Sequence, residues 1–245
     1  GGSDAFVGIS NLGTATIEAV ADADGAGAQA ADADISIAID QNAIVNGGTG
    51  AASAALTNDG TLNISALADA NSTGASADAN ARIGTGIAQL AVNTVVGDAA
   101  VSFTNNGDVN ISVVANAEAG AGAATALANL PQAYEGLAFA DEGDASISFL
   151  NASAATFEIA LAANATGSTA DADVDFGSNE LFDFRAQATS GDASVNITNN
   201  GNLIIGANAI ANATADWAHA SVDMNQEVMD IEVVADNGGS ANFTF

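Results

Sequence analysis

The chain lacks cysteine and lysine, and it is poor in most residues that carry specific chemistry. Its 245 residues include two arginines, one histidine and one proline. Without cysteine there is no disulfide framework and no thiol chemistry. Thirty acidic residues against two arginines give a formal net charge of −28, so the cationic side chains that neutralise phosphate are scarce. This balance argues against nucleic acid and anionic membrane surfaces as partners.

Long apolar runs and aromatic side chains are scarce as well. No apolar run approaches the ~20 residues of a membrane helix, so no membrane insertion is expected. Hydrophobic residues make up 49% of the chain, but alanine is their largest contributor and aromatic residues account for only 5%. A conventional globular core of this size would hold more leucine, phenylalanine and tryptophan. The composition therefore predicts an interior built largely from alanine.

The strongest positive signal is a repeat of about 47 residues. Two markers keep this spacing: an Asn-x-Gly turn that begins at Asn11, Asn58, Asn105 and Asn199, with a degraded copy at Asn151, and a Gly-Asp pair that ends at Asp98, Asp144 and Asp192. Internal repeats of this length indicate a stacked architecture. They predict a single domain over residues 1–245, with repeats at about 4–50, 51–97, 98–143, 144–191 and 192–238. Residues 239–245 begin a sixth copy.

The apolar residues indicate strands, although alanine is the best helix former. After each turn they occupy every second position, as at Val109, Ile111 and Val113. Strict alternation is typical of strands with one buried face. Larger side chains follow the turn and alanines come later, which suits sheets that approach each other closely. The predicted fold is all-β, a β-solenoid of the right-handed β-helix type with an Ala-rich interior.

Two details of this solenoid follow from the turns. Asparagine and glycine tolerate positive φ, so we expect that backbone conformation in the Asn-x-Gly turns. Further glycines and serines in the middle of each copy suggest additional corners. We therefore predict two coils of about 23–24 residues per copy and a rod of about 48 Å, from the ~4.8 Å spacing of strands. One large coil per copy is the alternative, with half that length.

The stretch from Phe103 to Ile111, FTNNGDVNI, followed by Ala-rich strands, resembles the repeats of large Gram-negative surface proteins. These are the β-helical passengers of autotransporters and the filamentous-haemagglutinin type of adhesin. The resemblance implies a secreted, elongated, non-enzymatic scaffold at the bacterial cell surface. The chain departs from those families in its alanine interior and its lack of lysine. It also lacks the Gly-Gly-x-Gly-x-Asp nonapeptide of calcium-binding β-rolls.

Catalysis is not expected. Some β-helices cleave acidic polysaccharides, but that chemistry needs cations around the substrate, and Arg82, Arg185 and His219 are a poor basis for it. His219 lies beside Trp217 in the sequence, and we expect both on an end surface of the stack. The chain also contains no nucleophile elbow, zinc-ligand spacing or phosphate loop.

Asp98, Asp144 and Asp192 are the candidate metal ligands. They recur once per copy and would stack into a ladder whose like charges repel. A calcium ion, which prefers carboxylate and carbonyl oxygens, would relieve that repulsion. Diffuse screening of a solvated acidic face by cations is the alternative.

Asn63 and Asn110 are candidate glycosylation sites. Each begins an Asn-x-Ser sequon, they lie one repeat apart, and the alternation turns both outward. The alternative is that asparagine and threonine are simply frequent on the outer faces and turns of such strands.

The ends of the stack are the candidate assembly surfaces. The fifth copy carries larger residues than the others, either as a cap or as a contact with another molecule. Residues 241–245 would form a strand able to complete the first coil of a neighbour. The expected contacts are Phe6, Trp217, Met224, Met229, Phe243 and Phe245.

These features predict a structural, non-catalytic extracellular protein. It would assemble head to tail into a surface filament or matrix fibre, with copies of itself and cell-surface or matrix components as partners. The alternative is an excised stalk segment of a giant secreted adhesin or autotransporter passenger that mediates surface attachment. No cofactor is required, apart from the candidate calcium.

Overall fold

The structure, a computed structural model, describes residues 3–225 and 227–245 and is all-β. No helix in those ranges is long and apolar enough to cross a lipid bilayer. The strands, in chain order, are β1 (Ala5–Asn11), β2 (Thr14–Gly25), β3 (Gln29–Val45), β4 (Ala52–Asn58), β5 (Thr61–Ser72), β6 (Ala77–Val96), β7 (Ala99–Asn105), β8 (Asp108–Ala119), β9 (Ala123–Asn129), β10 (Gln132–Glu142), β11 (Ala145–Asn151), β12 (Thr156–Gly167), β13 (Thr169–Asp175), β14 (Phe182–Ser190), β15 (Ala193–Asn199), β16 (Asn202–Ala213), β17 (Ala218–Asp223), β18 (Met229–Ala235) and β19 (Ala241–Thr244).

These strands form three parallel sheets. The first sheet has the order β1-β4-β7-β11-β15-β19, and the second has the order β16-β12-β8-β5-β2. The third contains eight strands, in which β6 pairs with β3 on one side and with both β9 and β10 on the other. From β9 and β10 the sheet continues as β13-β17 and β14-β18.

Paired residues lie one repeat apart in the sequence. Ala52 pairs with Ala5 on one side and with Ala99 on the other, each 47 residues away. The prediction of two coils per copy is therefore wrong, because it requires partners about 23–24 residues apart. The alternation of inward and outward residues has a period of two and does not reveal which strands are neighbours. We define a row as a set of positions that pair side by side through successive repeats.

The interior lies between the inward faces of the three sheets. Buried alanines such as Ala68 and Ala115 fill it along the second sheet and the first half of the third. Elsewhere it holds aromatic side chains, with the rings of Phe103 and Phe149 stacked 4.8 Å apart and Phe157 edge-on to Phe103. The predicted alanine-rich interior is thus confirmed, together with the change from larger residues after each turn to alanine further on.

Pro131 divides the third sheet. In the second repeat, β6 is one continuous strand of twenty residues. In the third repeat, Leu130 and Pro131 interrupt the corresponding segment and leave β9 and β10 on either side. Proline has no N–H to donate to a neighbouring strand. The strand is therefore interrupted at the position where that hydrogen bond would be needed. The division persists in the later repeats.

The Asn-x-Gly turns do not use positive φ, and that prediction is wrong. Among the described residues, Asn237 is the only non-glycine residue with positive φ, and Gly60 and Gly107 are not among the glycines that have it. Glycine is required here by close backbone approach. A Cβ on Gly60 would lie 1.9 Å from the carbonyl oxygen of Gly13, and one on Gly107 would lie 2.0 Å from that of Gly60.

The degraded turn after Asn151 is longer than the others. Asn105 and Asn151 pair, and so do Asp108 and Thr156, so four residues separate the strands here instead of two. Ala155 then accepts the backbone hydrogen bond from Asn202, as Gly60 does from Asp108. The extra length accommodates a side chain where the other turns need glycine.

Candidate functional site

The two ends of the stack expose unpaired strand edges. On one end, which we call the N-terminal face, the outermost strands are β1, β2 and β3. On the other, the C-terminal face, they are β16, β17, β18 and β19. An edge strand presents unpaired N–H and C=O groups and is a template for another strand. The two faces are therefore the surfaces best suited to binding more β-structure.

The N-terminal face contains an apolar cavity of about 380 Å³. Its walls include Ile9 and Ile17 from the first repeat and Leu56 and Leu62 from the second. Ala15 shares a row with Leu62 of the second repeat. In the later repeats this row also holds apolar residues that are larger than alanine. Ile9 is 40% exposed although its row is buried in the second to fifth repeats. The core is thus incompletely filled at this end.

The C-terminal face carries three of the predicted contacts above the aromatic part of the core. Phe243 pairs with Val195 and continues a row of buried side chains. Phe245 and Met229 line a small cavity together with Phe149. Phe243 is 48% exposed and Phe245 79%, so both rings extend the core and are largely uncovered.

The other predicted contacts lie away from the core. Trp217 and Met224 flank β17 at the outer edge of the third sheet, and both are exposed. Phe6 is also exposed, but it lies on the outer face of β1 with its ring over Gly8. Phe6 therefore faces sideways, whereas the inward residues of β1 are the ones that border the N-terminal face.

A ladder of asparagines runs through the first sheet where the sequence indicated only turns. The members are Asn11, Asn58, Asn105, Asn151 and Asn199. The Nδ2 group of each of the first four donates to the Oδ1 of the next member, at 2.7–2.9 Å. The three middle members are buried. The alternation contained the signal, because Asn105 lies two positions after the inward Phe103.

The predicted metal ligands form a ladder of a different kind. The backbone N–H of Asp144 donates to Asp98 Oδ1 at 3.0 Å, and that of Asp192 donates to Asp144 Oδ1 at 2.9 Å. The N–H of Ser240 donates to Asp192 in the same way. Each carboxylate is exposed and binds the corner of the next repeat. Calcium binding there stays a prediction, with one oxygen of each Asp already engaged.

The two predicted glycosylation sites contact each other. Asn110 Nδ2 donates to Asn63 Oδ1 at 2.9 Å, and both side chains are half-buried on the outer face of the second sheet. A glycan on Asn110 would be attached to the same Nδ2 atom that donates this hydrogen bond. Glycosylation stays a prediction.

Acidic side chains also stack on the outer face of the third sheet. Glu135 pairs with Asp183, and Asp183 pairs with Asp230. Burial, followed by the charges of Asp183 and Asp40, raises the pKa of Glu135, and Arg185 partly opposes this. Burial also raises the pKa of Asp183. This face therefore carries repulsion between carboxylates that protons or cations would relieve.

Inside the stack, a buried polar network joins three repeats. Gln89 Nε2 donates to Gln41 Oε1 at 2.8 Å, and the Tyr134 hydroxyl donates to Gln89 Oε1 at 2.9 Å. Burial raises the pKa of Tyr134, so the phenol remains a donor. The network is fully enclosed and its groups are paired with one another, which suits a structural role.

Comparison with protein-family models, with curated proteins and with solved structures finds no match for this chain.

Proposed function

We propose that the three sheets enclose one core as a right-handed β-solenoid with one coil of about 47 residues per repeat. The protein would then be the subunit of an extracellular structural fibre. Five coils spaced by ~4.8 Å give an axial length of about 24 Å per copy. The observation that carries the proposal is that core rows reach both end faces uncovered, with an apolar cavity at one end and exposed phenylalanines at the other.

Contacts between the two faces would be heterologous, so they would propagate without closing. The second sheet would continue from one copy to the next by parallel pairing of β16 with β2. The third sheet would continue by parallel pairing of β17 and β18 with β3. In the first sheet, however, β19 already occupies the position that β1 of the next copy would take. One of these two strands has to leave.

We infer that β19 replaces β1 beside β4 of the neighbouring copy. Both strands hold the same place in the repeat: Ala241 belongs to the row of Ala5. Phe243 would then stand in for Val7, and Phe245 for Ile9. The larger rings would fill the cavity that Ile9 borders. This is strand addition in which side-chain pockets supply specificity.

The other features of the chain support a structural role at a cell surface. Two arginines and one histidine offer little to catalysis, and the acidic surface favours solubility and attracts cations. The absence of cysteine removes thiol and disulfide chemistry. The resemblance to repeats of Gram-negative adhesins points to matrix or surface components as further partners.

A stalk segment of a longer adhesin is the second candidate. It is favoured by the register of β19, which begins a further coil in line with the preceding five. In a stalk, further coils of the same chain would cover both faces, and no strand would have to leave.

An engineered disulfide separates the two candidates. Ser10 and Thr57 pair on the outer faces of β1 and β4, and adjacent strands bring Cα atoms within the range that a disulfide spans. In a chain without cysteine, the double substitution Ser10→Cys with Thr57→Cys creates a single, reversible bond that fixes β1. Negative-stain electron microscopy and sedimentation velocity then report assembly of the oxidised and reduced forms.

The expected result is fibres with an axial repeat of about 24 Å from the reduced protein and single particles from the oxidised one. Phe245→Ala should also reduce assembly, whereas Phe6→Ala, a matched loss of an exposed ring, should not. Equal assembly of both redox forms would overturn the strand replacement. Single particles in every form would overturn the fibre and leave the stalk.

A further inference from the structure

The only histidine of the chain lies against two aspartates on the outer face of the third sheet. Asp171 and Asp173 alternate on β13, and His219 on β17 pairs with Asp171. His219 Nδ1 is 3.0 Å from Asp171 Oδ1 and 3.7 Å from Asp173 Oδ1. The three potential ligand atoms lie within 4.8 Å of one another. Rigid neighbouring strands therefore hold one nitrogen and two oxygen atoms in a single cluster.

The two nitrogen–oxygen distances agree with ligation of one tetrahedral ion. Zinc binds nitrogen and oxygen ligands at about 2.0–2.2 Å, and two ligands of a tetrahedral ion at that distance lie about 3.4 Å apart. The two measured nitrogen–oxygen separations bracket this value. Small side-chain rotations would bring each atom to bonding distance, since His219 is exposed and Asp171 is only half-buried.

The donor set selects the class of metal. Calcium and magnesium prefer shells made only of oxygen, whereas imidazole nitrogen suits zinc, copper and nickel. This feature distinguishes the cluster from the ladder of Asp98, Asp144 and Asp192. The Ser221 hydroxyl donates to Asp173 Oδ1 and orients that carboxylate. Such outer partners commonly fix the ligands of metal sites.

The neighbouring row strengthens the attraction for a cation. Asp175 on β13 pairs with Asp223 on β17, two positions along from the cluster on the same face. Two further negative charges so close raise the local concentration of divalent ions. In the absence of metal, the same geometry is a hydrogen bond or ion pair between His219 and Asp171, which is the competing explanation for the short contact.

We propose that Asp171, Asp173 and His219 form a binding site for one divalent transition-metal ion of the zinc class. His219 Nδ1 and one oxygen of each aspartate are the ligands, and water completes the coordination. The site lies on the side of the third sheet and does not depend on whether copies assemble.

The single histidine makes the test specific. Protein labelled with ¹⁵N in histidine is titrated with Zn²⁺ in millimolar Mg²⁺, which occupies carboxylates that bind divalent ions without selectivity. We expect the Nδ1 resonance of His219 to shift and to saturate at one equivalent. Isothermal titration under the same conditions should give one site that is lost in His219→Ala. Asp171→Asn should weaken that site at least about tenfold.

Asp32→Asn is the matched control. Asp32 is exposed on the outer face of the same sheet, in the first repeat, and its substitution removes the same charge far from the histidine. It should leave Zn²⁺ binding unchanged. The proposal fails if the His219 resonances do not respond to saturating Zn²⁺, or if His219→Ala binds Zn²⁺ as the unmodified protein does. Either result would identify the contact as a simple ion pair.

Discussion

Asn58 donates a hydrogen bond from Nδ2 to Oδ1 of Asn105, at 2.8 Å and across one repeat of 47 residues. Both side chains are fully buried. Each Nδ2 group also donates to a backbone carbonyl of the second sheet in the next repeat, that of Asp108 for Asn58 and that of Thr156 for Asn105. The ladder therefore joins successive turns of the first sheet to the start of the second.

Asn105→Ala should destabilise the protein by about 1–3 kcal/mol, because it leaves the Asn151 side-chain oxygen without its donor in a buried site. Asn106→Ala is the control: Asn106 adjoins Asn105 in the same turn but is exposed, and its side chain donates to Asp59 Oδ1 at the surface. Its loss should cost less than about 0.5 kcal/mol. Urea denaturation followed by circular dichroism measures both. Equal losses of stability in the two variants would show that the buried asparagine ladder stabilises the protein no more than a surface hydrogen bond does.

Gly107→Ala should be strongly destabilising, by about 1–3 kcal/mol or more, because the new Cβ would lie 2.0 Å from the Gly60 carbonyl oxygen. Gly13→Ala makes the same change in the first repeat, where a Cβ meets nothing within 4 Å. Its thermal stability should match that of the unmodified protein. In a fibre, however, that Cβ would point at the neighbouring copy, so Gly13→Ala should reduce fibre length in electron micrographs.

The carboxylate of Asp144 accepts a backbone hydrogen bond, so its substitutions should separate hydrogen bonding from metal binding. Asp144→Ala should cost about 0.5–1.5 kcal/mol, whereas Asp144→Asn keeps an acceptor oxygen and should cost less. Thermal melts with and without calcium at equal ionic strength provide the measurement. If calcium raises the melting temperature of the unmodified protein but not of Asp144→Asn, the ladder is a calcium site.

Acidification should stabilise the folded protein through Glu135. Its folded-state pKa lies above the ordinary value of 4.5, so its stabilising contribution is complete below that value and is lost as the pH rises through the raised pKa. Glu135→Gln should therefore melt at a higher temperature than the unmodified protein at about pH 7, and at a similar temperature at about pH 4. Glu142→Gln, at an exposed position of the same strand, is the control.

Added salt should promote fibre formation. Each copy carries a net charge of −28, and like charges on facing ends repel over the Debye length, about 30 Å at 0.01 M salt and about 3 Å at 1 M. Light scattering at increasing sodium chloride concentration should show faster assembly. Assembly that slows with salt would mean that attraction between opposite charges, and not apolar contact, joins the copies.

The all-β class and the equivalence of the repeats could be predicted because each repeat carries its own markers. Alternation around Val109 identified strands and their inward faces, and the spacing of Asn58 and Asn105 matched the pairing interval. The number of coils per copy could not be predicted in this way. The glycines and serines within a copy are corners between sheets, and nothing local shows that three sheets are needed before the chain returns to its start.

The cluster around His219 also escaped prediction, although a signal was present. Asp171 and His219 are 48 residues apart, which is one repeat, so aligning the copies would have placed them side by side. The sideways direction of Phe6 was likewise encoded in the alternation of β1. The cavity beside Ile9 was not encoded in the alternation. Such a cavity depends on how completely the side chains of three sheets together fill the interior.

The turn that follows Asn151 indicates where foreign sequence would be tolerated. Two additional residues are absorbed there while the strands on either side keep their partners and the asparagines keep their bonds. Ser153 and Ala154 are exposed at its tip. Because lengthening a surface loop costs little free energy, epitopes inserted between them would project from one flank of the particle. If copies assemble into the proposed fibre, a multivalent display scaffold would result, with the spacing of its inserts set by the axial rise per copy.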